Sequence, residues 1–216
     1  MMADNNYQLA ENLYISPTPA GAYFCVSANS QPSSRKLLQV LLKQGKLLKV
    51  ADSEELLSLT ELHSDDELYE LLYRMQSLGW LEGIAEQEYA PNEGALEEIL
   101  PDLLVKLSEQ GKALLADEQG FYIGVQGFPH ETAEELSALS ADIFSMYERH
   151  QGLLKNNLGL ETSAWSLIDA AGNGHIGFWP LWIGAHRFVL VIKGVPLLNQ
   201  NAFMQLIWAL SIRYGN

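Results

Sequence analysis

The chain has very little cysteine: Cys25 is the one cysteine among 216 residues. A single cysteine excludes a disulfide within the chain and a metal site built from paired thiolates. The start of the sequence, MMADNNYQLAEN, is polar and acidic, and it lacks the basic residues and apolar run of a secretory signal peptide. These features predict a protein of the reducing cytoplasm.

Basic residues are also scarce. There are 13 Lys and Arg against 27 Asp and Glu, which gives a formal net charge of −14. Residues 1–90 hold 6 basic and 13 acidic groups and residues 91–216 hold 7 and 14, so each part carries −7. Phosphate backbones and anionic lipids bind proteins mainly through Lys and Arg, so the charge disfavours both as partners. A basic protein partner is compatible with it.

A long hydrophobic run is missing as well. The longest apolar stretch covers residues 176–192, and His186 and Arg187 interrupt it. A membrane-spanning helix needs about 20 consecutive apolar residues, so no membrane insertion is expected. Apolar residues still make up 48% of the chain, enough for a folded core in one large domain or two small ones.

Catalytic and cofactor motifs are absent from the sequence. There is no G-x-S-x-G elbow, no P-loop, no HExxH and no pair of histidines at helical spacing. Gly172, Gly174 and Gly177 match G-x-G-x-x-G, but an extended apolar segment follows them where a dinucleotide site needs a helix. We therefore predict a turn there, no cofactor, no metal and no enzymatic activity.

The first half of the chain predicts a small helical unit. Strands are expected at residues 13–15 and 22–26 around a turn at 16–21, and two further strands at 80–85 and 87–90. Three helices are expected between them, starting near Ser33, near Asp52 and after Ser64. Asp52 with Glu55 and Ser64 with Glu67 have capping-box spacing, and Gly45 and Gly79 suit helix ends. This order resembles a winged helix-turn-helix over residues 33–89.

A winged helix suggests DNA binding through its third helix. Here the first turn of that helix carries Asp65, Asp66 and Glu67, which suit the helix dipole and repel phosphates. A winged helix that binds protein or dimerises is therefore favoured over one that binds DNA. The alternative depends on a local basic cluster on the first helix and beyond it: Arg35, Lys36, Lys43, Lys46 and Lys49.

The second half predicts a regular α/β order. A helix begins near residues 91–93, and Pro101 within it either kinks this helix or is the first residue of a second short one. Strands follow at 112–116 and 121–126 around an Asp-Glu-Gln-Gly turn. A long helix with a capping box at Thr132 and Glu135 comes next. Strands are expected at 163–169, 175–182 and 186–192, and a last helix at 199–213. One face of the long helix is expected to hold Leu136, Leu139, Ser140, Ile143 and Tyr147.

The run KALLADEQGFYIGVQGFPHETAEELSALSADIFSMYE resembles the roadblock family of dynein light-chain-like proteins, and the resemblance spans residues 96–214. It implies an α+β chain: a winged-helix-like domain at 1–90, then a roadblock-like α-β-β-α-β-β-β-α domain with a five-stranded antiparallel sheet at 91–216. It also implies a homodimer, through a continued sheet or paired long helices. Family members commonly act as non-enzymatic scaffolds or regulators of Ras-like small GTPases, or as motor-complex adaptors.

These observations predict an interaction scaffold or regulator, with a DNA-binding transcriptional regulator as the alternative. Ile143 and Tyr147 on the long helix are candidate contact residues, with burial in the core as the other reading of each. Strand alternation places Phe178 and Trp182 on one face and Trp179 on the other. Trp179 is a third candidate contact residue unless a helix covers it.

Overall fold

The structure is a computed structural model that describes residues 12–49, 53–60, 62–91 and 96–215. Among these residues, the first half contains two strands and four helices: β1 (Tyr14–Pro17), α1 (Pro19–Val26), α2 (Ser33–Lys43), α3 (Ser53–Leu59), α4 (Asp65–Ser77) and β2 (Leu81–Ile84). The second half contains α5 (Leu96–Leu104), β3 (Ala113–Ala116), β4 (Tyr122–Gln126), α6 (His130–Gly152), β5 (Trp165–Ile168), β6 (Gly174–Ile183), β7 (His186–Lys193) and α7 (Asn201–Tyr214). A short 3-10 turn, Val105–Leu107, follows α5, and a π-helical turn, Leu153–Asn157, follows α6.

Residues 22–26 are helical, so the strand predicted there is wrong. Thr18 is the N-cap of α1, where its hydroxyl accepts the Gly21 N–H at 3.1 Å, and Pro19 fills the first helical position. A Thr-Pro pair is favourable at a helix start, and this local signal outweighs the strand preference of the aromatic residues that follow.

The strand pair predicted as a wing does not form. β2 pairs antiparallel with β1, and residues 87–90 hydrogen-bond to the segment after α2. There the Leu47 N–H donates to Glu88 O at 3.0 Å and the Ala90 N–H donates to Gly45 O at 2.9 Å. Backbone groups on both segments are thus satisfied by distant partners, and the winged-helix assignment is not confirmed.

The predicted start of α4 is confirmed. The Ser64 hydroxyl accepts the Glu67 N–H at 3.3 Å, and the Glu67 carboxylate accepts the His63 N–H at 3.0 Å. Gly79 follows the helix with a φ of 71°, a conformation that glycine adopts without strain. The equivalent prediction at Asp52 lies outside the described residues.

The element order of the second half is confirmed, including its five-stranded antiparallel sheet. The strand order is β4-β3-β7-β6-β5, and each neighbouring pair is antiparallel. The Asp117–Gly120 turn closes the β3–β4 hairpin, with the Asp117 N–H donating to Phe121 O at 2.8 Å. Pro101 lies inside α5. Gly172, with a φ of 86°, lies in the turn before β6, so a strand follows the glycines as predicted.

The sheet has helices on both faces. Leu114, Val189 and Val191 pack with α6, whereas Leu115, Leu190 and Ile192 pack with α5 and α7. The alternation predicted for β6 follows the same rule: Phe178 faces the α6 side and Trp179 packs on the opposite side.

The first half and the second half share one hydrophobic core. Helices α1 and α2 pack on α7, and the same buried cluster continues from these helices into the sheet. The indole N–H of Trp208 on α7 donates to Gln44 O at 2.8 Å, and the rings of Tyr23 and Phe203 are 6.2 Å apart.

Candidate interaction surface

The N-cap of α6 lies three residues earlier than predicted. Pro129 is its N-cap, and its carbonyl accepts the Ala133 N–H at 2.9 Å, so Thr132 lies within the first turn and not at the cap. The φ of −61° at Pro129, fixed by its ring, suits this entry into a helix. The capping box predicted at Thr132 is therefore wrong.

The face that α6 buries against the sheet shares Ser140 and Tyr147 with the predicted one but differs from it at the other positions. The buried residues are Ala133, Ser137, Ser140, Phe144 and Tyr147. Small residues at three of these positions let the helix approach the sheet closely. The hydroxyls of Ser137 and Ser140 donate to backbone carbonyls within the helix at 2.7 Å, so their burial leaves no unsatisfied polar group.

Four further apolar residues of α6 lie on its flank. We call Leu136, Leu139, Ile143 and Met146 the apolar flank; Leu139 is 41% exposed and the other three are half-buried. The β3–β4 turn packs on the other side of the helix, where a Cβ atom on Gly120 would lie 3.3 Å from atoms of Ala138 and Ala141. The apolar flank is thus left partly open to solvent.

The free edge of the sheet at β5 is a second exposed apolar region. Leu167 is 60% exposed and Ile168 is 65% exposed, and in the segment before the strand Leu158 is 59% and Leu160 46% exposed. We call these four residues the edge patch. Within the described part of the chain, β5 pairs with β6 alone, so its outer backbone groups are open to a further strand.

The three predicted contact residues lie in different environments. Ile143 belongs to the apolar flank, and Tyr147 is 4% exposed with its ring edge-on to Phe144, which places Tyr147 in the core. Trp179 is half-buried and its ring lies across Gly177, where a Cβ atom would approach the indole to 2.3 Å. Their part in binding a partner stays a prediction. The edge patch was missed, because Leu167 and Ile168 look like core residues in the sequence.

Carboxylates border the apolar flank. Glu135 and Asp142 are four and three residues from Leu139, which places them one helical turn away on the same side, and both are exposed, as is Glu131. Further along the helix, Glu148 accepts a hydrogen bond from Arg187 on β7, whose guanidinium stacks 5.3 Å from the Phe144 ring centre. The N-terminal part of the open side of α6 is therefore acidic, whereas the exposed Arg149 lies near its other end.

A second electrostatic feature lies in the β5–β6 turn. The Asp169 carboxylate accepts hydrogen bonds from the Asn173 side-chain amide and from the N–H groups of Asn173 and Ala171, and it lies 3.4 Å from His175. The Asn173 contacts, with smaller contributions from Ala171 and His175, lower the pKa of Asp169 from its ordinary value to about 2. The charged form thus stabilises the turn next to the edge patch.

The described residues hold neither a group of metal ligands nor a reactive thiolate. Over the described ranges, no three His, Cys, Asp or Glu side chains form a group suited to a metal ion. Burial raises the pKa of the Cys25 thiol to about 12, so it is not a reactive thiolate at neutral pH.

The residues that bear on DNA binding lie in opposite environments. Arg35 is 4% exposed, so the basic cluster of the first half loses one member to the core, whereas Asp65, Asp66 and Glu67 are exposed.

None of the described helices is long and apolar enough to cross a membrane.

Comparisons with known proteins give structural similarity alone. No protein-family model matches the chain, and no curated protein matches it. A roadblock/LC7 domain from Streptomyces avermitilis is similar over 54% of this chain and 91% of its own length, with 12% identity and a TM-score of 0.35. MglB from Myxococcus xanthus is similar over 59% and 89%, with 16% identity and a TM-score of 0.33. The gliding protein MglB from Thermus thermophilus is similar over 58% and 90%, with 20% identity and a TM-score of 0.35. The roadblock family, which the second half resembles in its sequence, is thus also represented among these structures.

Proposed function

We propose that this chain is a non-enzymatic protein-interaction scaffold or regulator that acts as a homodimer through its roadblock-like half. The partner class implied by the sequence resemblance is a Ras-like small GTPase. The observation that carries the proposal is the apolar surface that the second half leaves open. On α6, Leu139 is exposed and Leu136, Ile143 and Met146 are half-buried, and on β5 Leu167 and Ile168 are exposed.

A second copy of the chain suits this surface. An open, uncharged strand edge accepts another strand through backbone hydrogen bonds, and residues of the edge patch would be buried by such pairing. The apolar flank has spacing suited to packing against another helix, with Leu136, Leu139 and Ile143 three and four residues apart. The exposed leucines of these two regions favour self-association over a free monomer.

Sedimentation analysis of charge-insertion variants tests the dimer. We expect the wild-type chain to sediment as a dimer, and Leu139→Glu and Ile168→Glu each to raise its dissociation constant by about 30-fold or more, as at interface hot spots. Leu78→Glu is the matched control, because Leu78 is 51% exposed at the end of α4. A wild-type chain that stays monomeric at all concentrations, or variants that dimerise as well as the control, would contradict the dimer.

The partner class needs a separate experiment. Purified Ras-like GTPases from the source cells are loaded with GDP or with a GTP analogue and titrated with the chain. Nucleotide hydrolysis is followed with and without it. We expect binding that depends on the nucleotide and is lost in a dimer-breaking variant. Binding that ignores the nucleotide, or none at all, removes the GTPase assignment and leaves the dimer untouched.

The DNA-binding alternative makes an opposite prediction. A fluorescently labelled DNA duplex titrated at low salt is expected to show no tight binding, because the exposed first turn of α4 is acidic and Arg35 is buried. Tight, salt-sensitive binding in this titration supports the transcriptional regulator and overturns the scaffold.

A further inference from the structure

Side chains on the α6 side of the sheet form rows across the strands, because opposite residues of antiparallel strands point to the same face. One row packs in the core beneath α6 and consists of Val125, Leu114, Val191, Phe178 and Trp165. Two residues further along the strands, the next row on this face consists of Lys112, Lys193, Ile176 and Leu167. We call these four residues the open row.

The two lysines of the open row face each other across neighbouring strands. The Lys193 N–H donates to Lys112 O at 3.0 Å, and the adjoining residues pair in register. Like charges at opposite positions destabilise a sheet. Among the residues that the structure describes, neither ammonium forms an ion pair, and Asp169 at the same end of the sheet is held by Asn173 and His175. An external carboxylate between the ammonium groups would offset their repulsion.

The other half of the open row is apolar. Ile176 is half-buried at the margin of the core, and Leu167 is 60% exposed. Neighbouring strands lie about 4.8 Å apart, so the open row is about 14 Å long from Lys112 to Leu167. An extended segment of about five residues covers this length and turns alternate side chains toward the row.

We propose that the open row is a docking surface for an extended acidic segment of a partner protein. Its carboxylates would lie between Lys112 and Lys193, and its apolar side chains would cover Ile176 and Leu167. Charge complementarity favours this occupant, and the apolar half of the row matches side chains rather than phosphates. The net charge of −14 repels large polyanions, whereas a short segment senses mainly the local ammonium groups because charges beyond about 10 Å are screened at 0.1 M salt.

The docking surface rests on the proposed function, since it describes how a protein partner is held, but it does not require the dimer. The first test titrates the full isotope-labelled chain with the capped peptide Glu-Glu-Ser-Leu-Ser-Leu, followed by NMR. We expect saturable shifts at the amides of the open row, and about tenfold weaker binding when Gln replaces each Glu of the peptide. Weaker binding is also expected when Ser replaces each Leu. Equal binding of the acidic peptide and its Gln form, or no saturable shifts, overturns the proposal.

Lysine variants locate the site. Lys112→Gln combined with Lys193→Gln is expected to weaken binding of the acidic peptide about tenfold. Lys46→Gln combined with Lys106→Gln changes the net charge equally at exposed lysines outside the row and should bind as the wild type does. Equal losses in the two double variants overturn the proposal. So does a wild-type chain that binds phosphatidylserine vesicles but not the peptide, because the lysines would then serve lipid headgroups.

Sedimentation of the same proteins reports the proposed dimer separately. A monomeric chain that binds the acidic peptide through the open row refutes the dimer and supports the docking surface. A dimer that fails to bind the peptide refutes the docking surface alone.

Discussion

At the scale of single residues, Arg35 shows how a buried cation is satisfied without a carboxylate. Its guanidinium donates to Phe24 O at 3.0 Å and to the carbonyl and hydroxyl of Ser30. It also lies 4.5 Å from the centre of the Phe24 ring, which stacks on Trp80 at 3.8 Å. Burial lowers the pKa of Arg35 from its ordinary value, and the hydrogen bonds to Phe24 and Ser30 offset the cost of burying the charge.

Replacing Arg35 is therefore expected to destabilise the first half. Arg35→Met removes the donors and leaves buried carbonyls unpaired, with an expected loss of about 2 kcal/mol in the free energy of unfolding. Arg35→Lys is expected to lose a similar amount, because an ammonium cannot reproduce the fork of donors. Urea unfolding measures both. Arg149→Met, on an exposed part of α6, is the control and should change stability by less than about 0.5 kcal/mol.

The carboxylate of Asp169 is expected to make the free energy of unfolding depend on pH under acidic conditions. Because its folded pKa of about 2 lies below its unfolded value, the carboxylate stabilises the fold above pH 4, and that contribution is lost as pH falls toward 2. Asp169→Asn is expected to lower the melting temperature at neutral pH and to flatten its fall between about pH 4 and pH 2. Asp142→Asn is the control. Parallel pH profiles for wild type and Asp169→Asn would contradict the assignment.

At the scale of elements, the docking of α1 depends on a glycine. A Cβ atom on Gly21 would lie 2.0 Å from Trp80 O and 2.9 Å from its carbonyl carbon, and backbone cannot move aside cheaply. Gly21→Ala is expected to cost about 2 kcal/mol of stability through overpacking. Gly152→Ala, at the end of α6 with open space around it, should instead stabilise by about 0.5 kcal/mol. Thermal melts that shift in the same direction for both would refute this.

Elements defined by local signals were predictable from the sequence. The Asp117–Gly120 turn, the alternation of β6 and the cap at Ser64 each depend on residues a few positions apart, and each is confirmed. Pairings between distant segments were not predictable. β2 was expected to pair with the neighbouring residues 87–90, but it pairs with β1, which lies more than sixty residues away in the sequence. The packing of the whole fold decides between these two partners, and local residues do not show it.

The candidate surface was predicted only in part, for a physical reason. Periodicity identifies the helix at α6 but not which stripe meets the sheet, because Leu136, Leu139 and Ile143 look like the natural core side. The sheet meets Ala133, Ser137 and Phe144 together with the predicted Ser140 and Tyr147, and the small side chains at three of these positions allow close approach. The exposure of Leu167 and Ile168 follows from the position of β5 at the sheet edge, which strand order alone determines.

At the scale of the whole molecule, net charge opposes the proposed association of two copies. Each copy carries −14, and the carboxylates of Glu131, Glu135 and Asp142 border the apolar flank through which the copies would meet. Salt shortens the range of this repulsion from about 10 Å at 0.1 M to about 3 Å at 1 M. Apolar burial, which drives the association, is not weakened by salt. The proposed dimer should therefore tighten as salt is added.

Sedimentation of charge variants over a salt series tests this balance. We expect the wild-type dissociation constant to fall several-fold between about 0.1 M and 1 M salt. Glu131→Gln, Glu135→Gln and Asp142→Asn combined should tighten the dimer at low salt and reduce that dependence. The control combines Glu54→Gln, Glu55→Gln and Glu70→Gln, which changes the net charge equally at sites on α3 and α4. Because screening weakens distant charges most, the control should follow the wild type. A dimer that weakens with salt would instead mean that ion pairs between the copies hold it together.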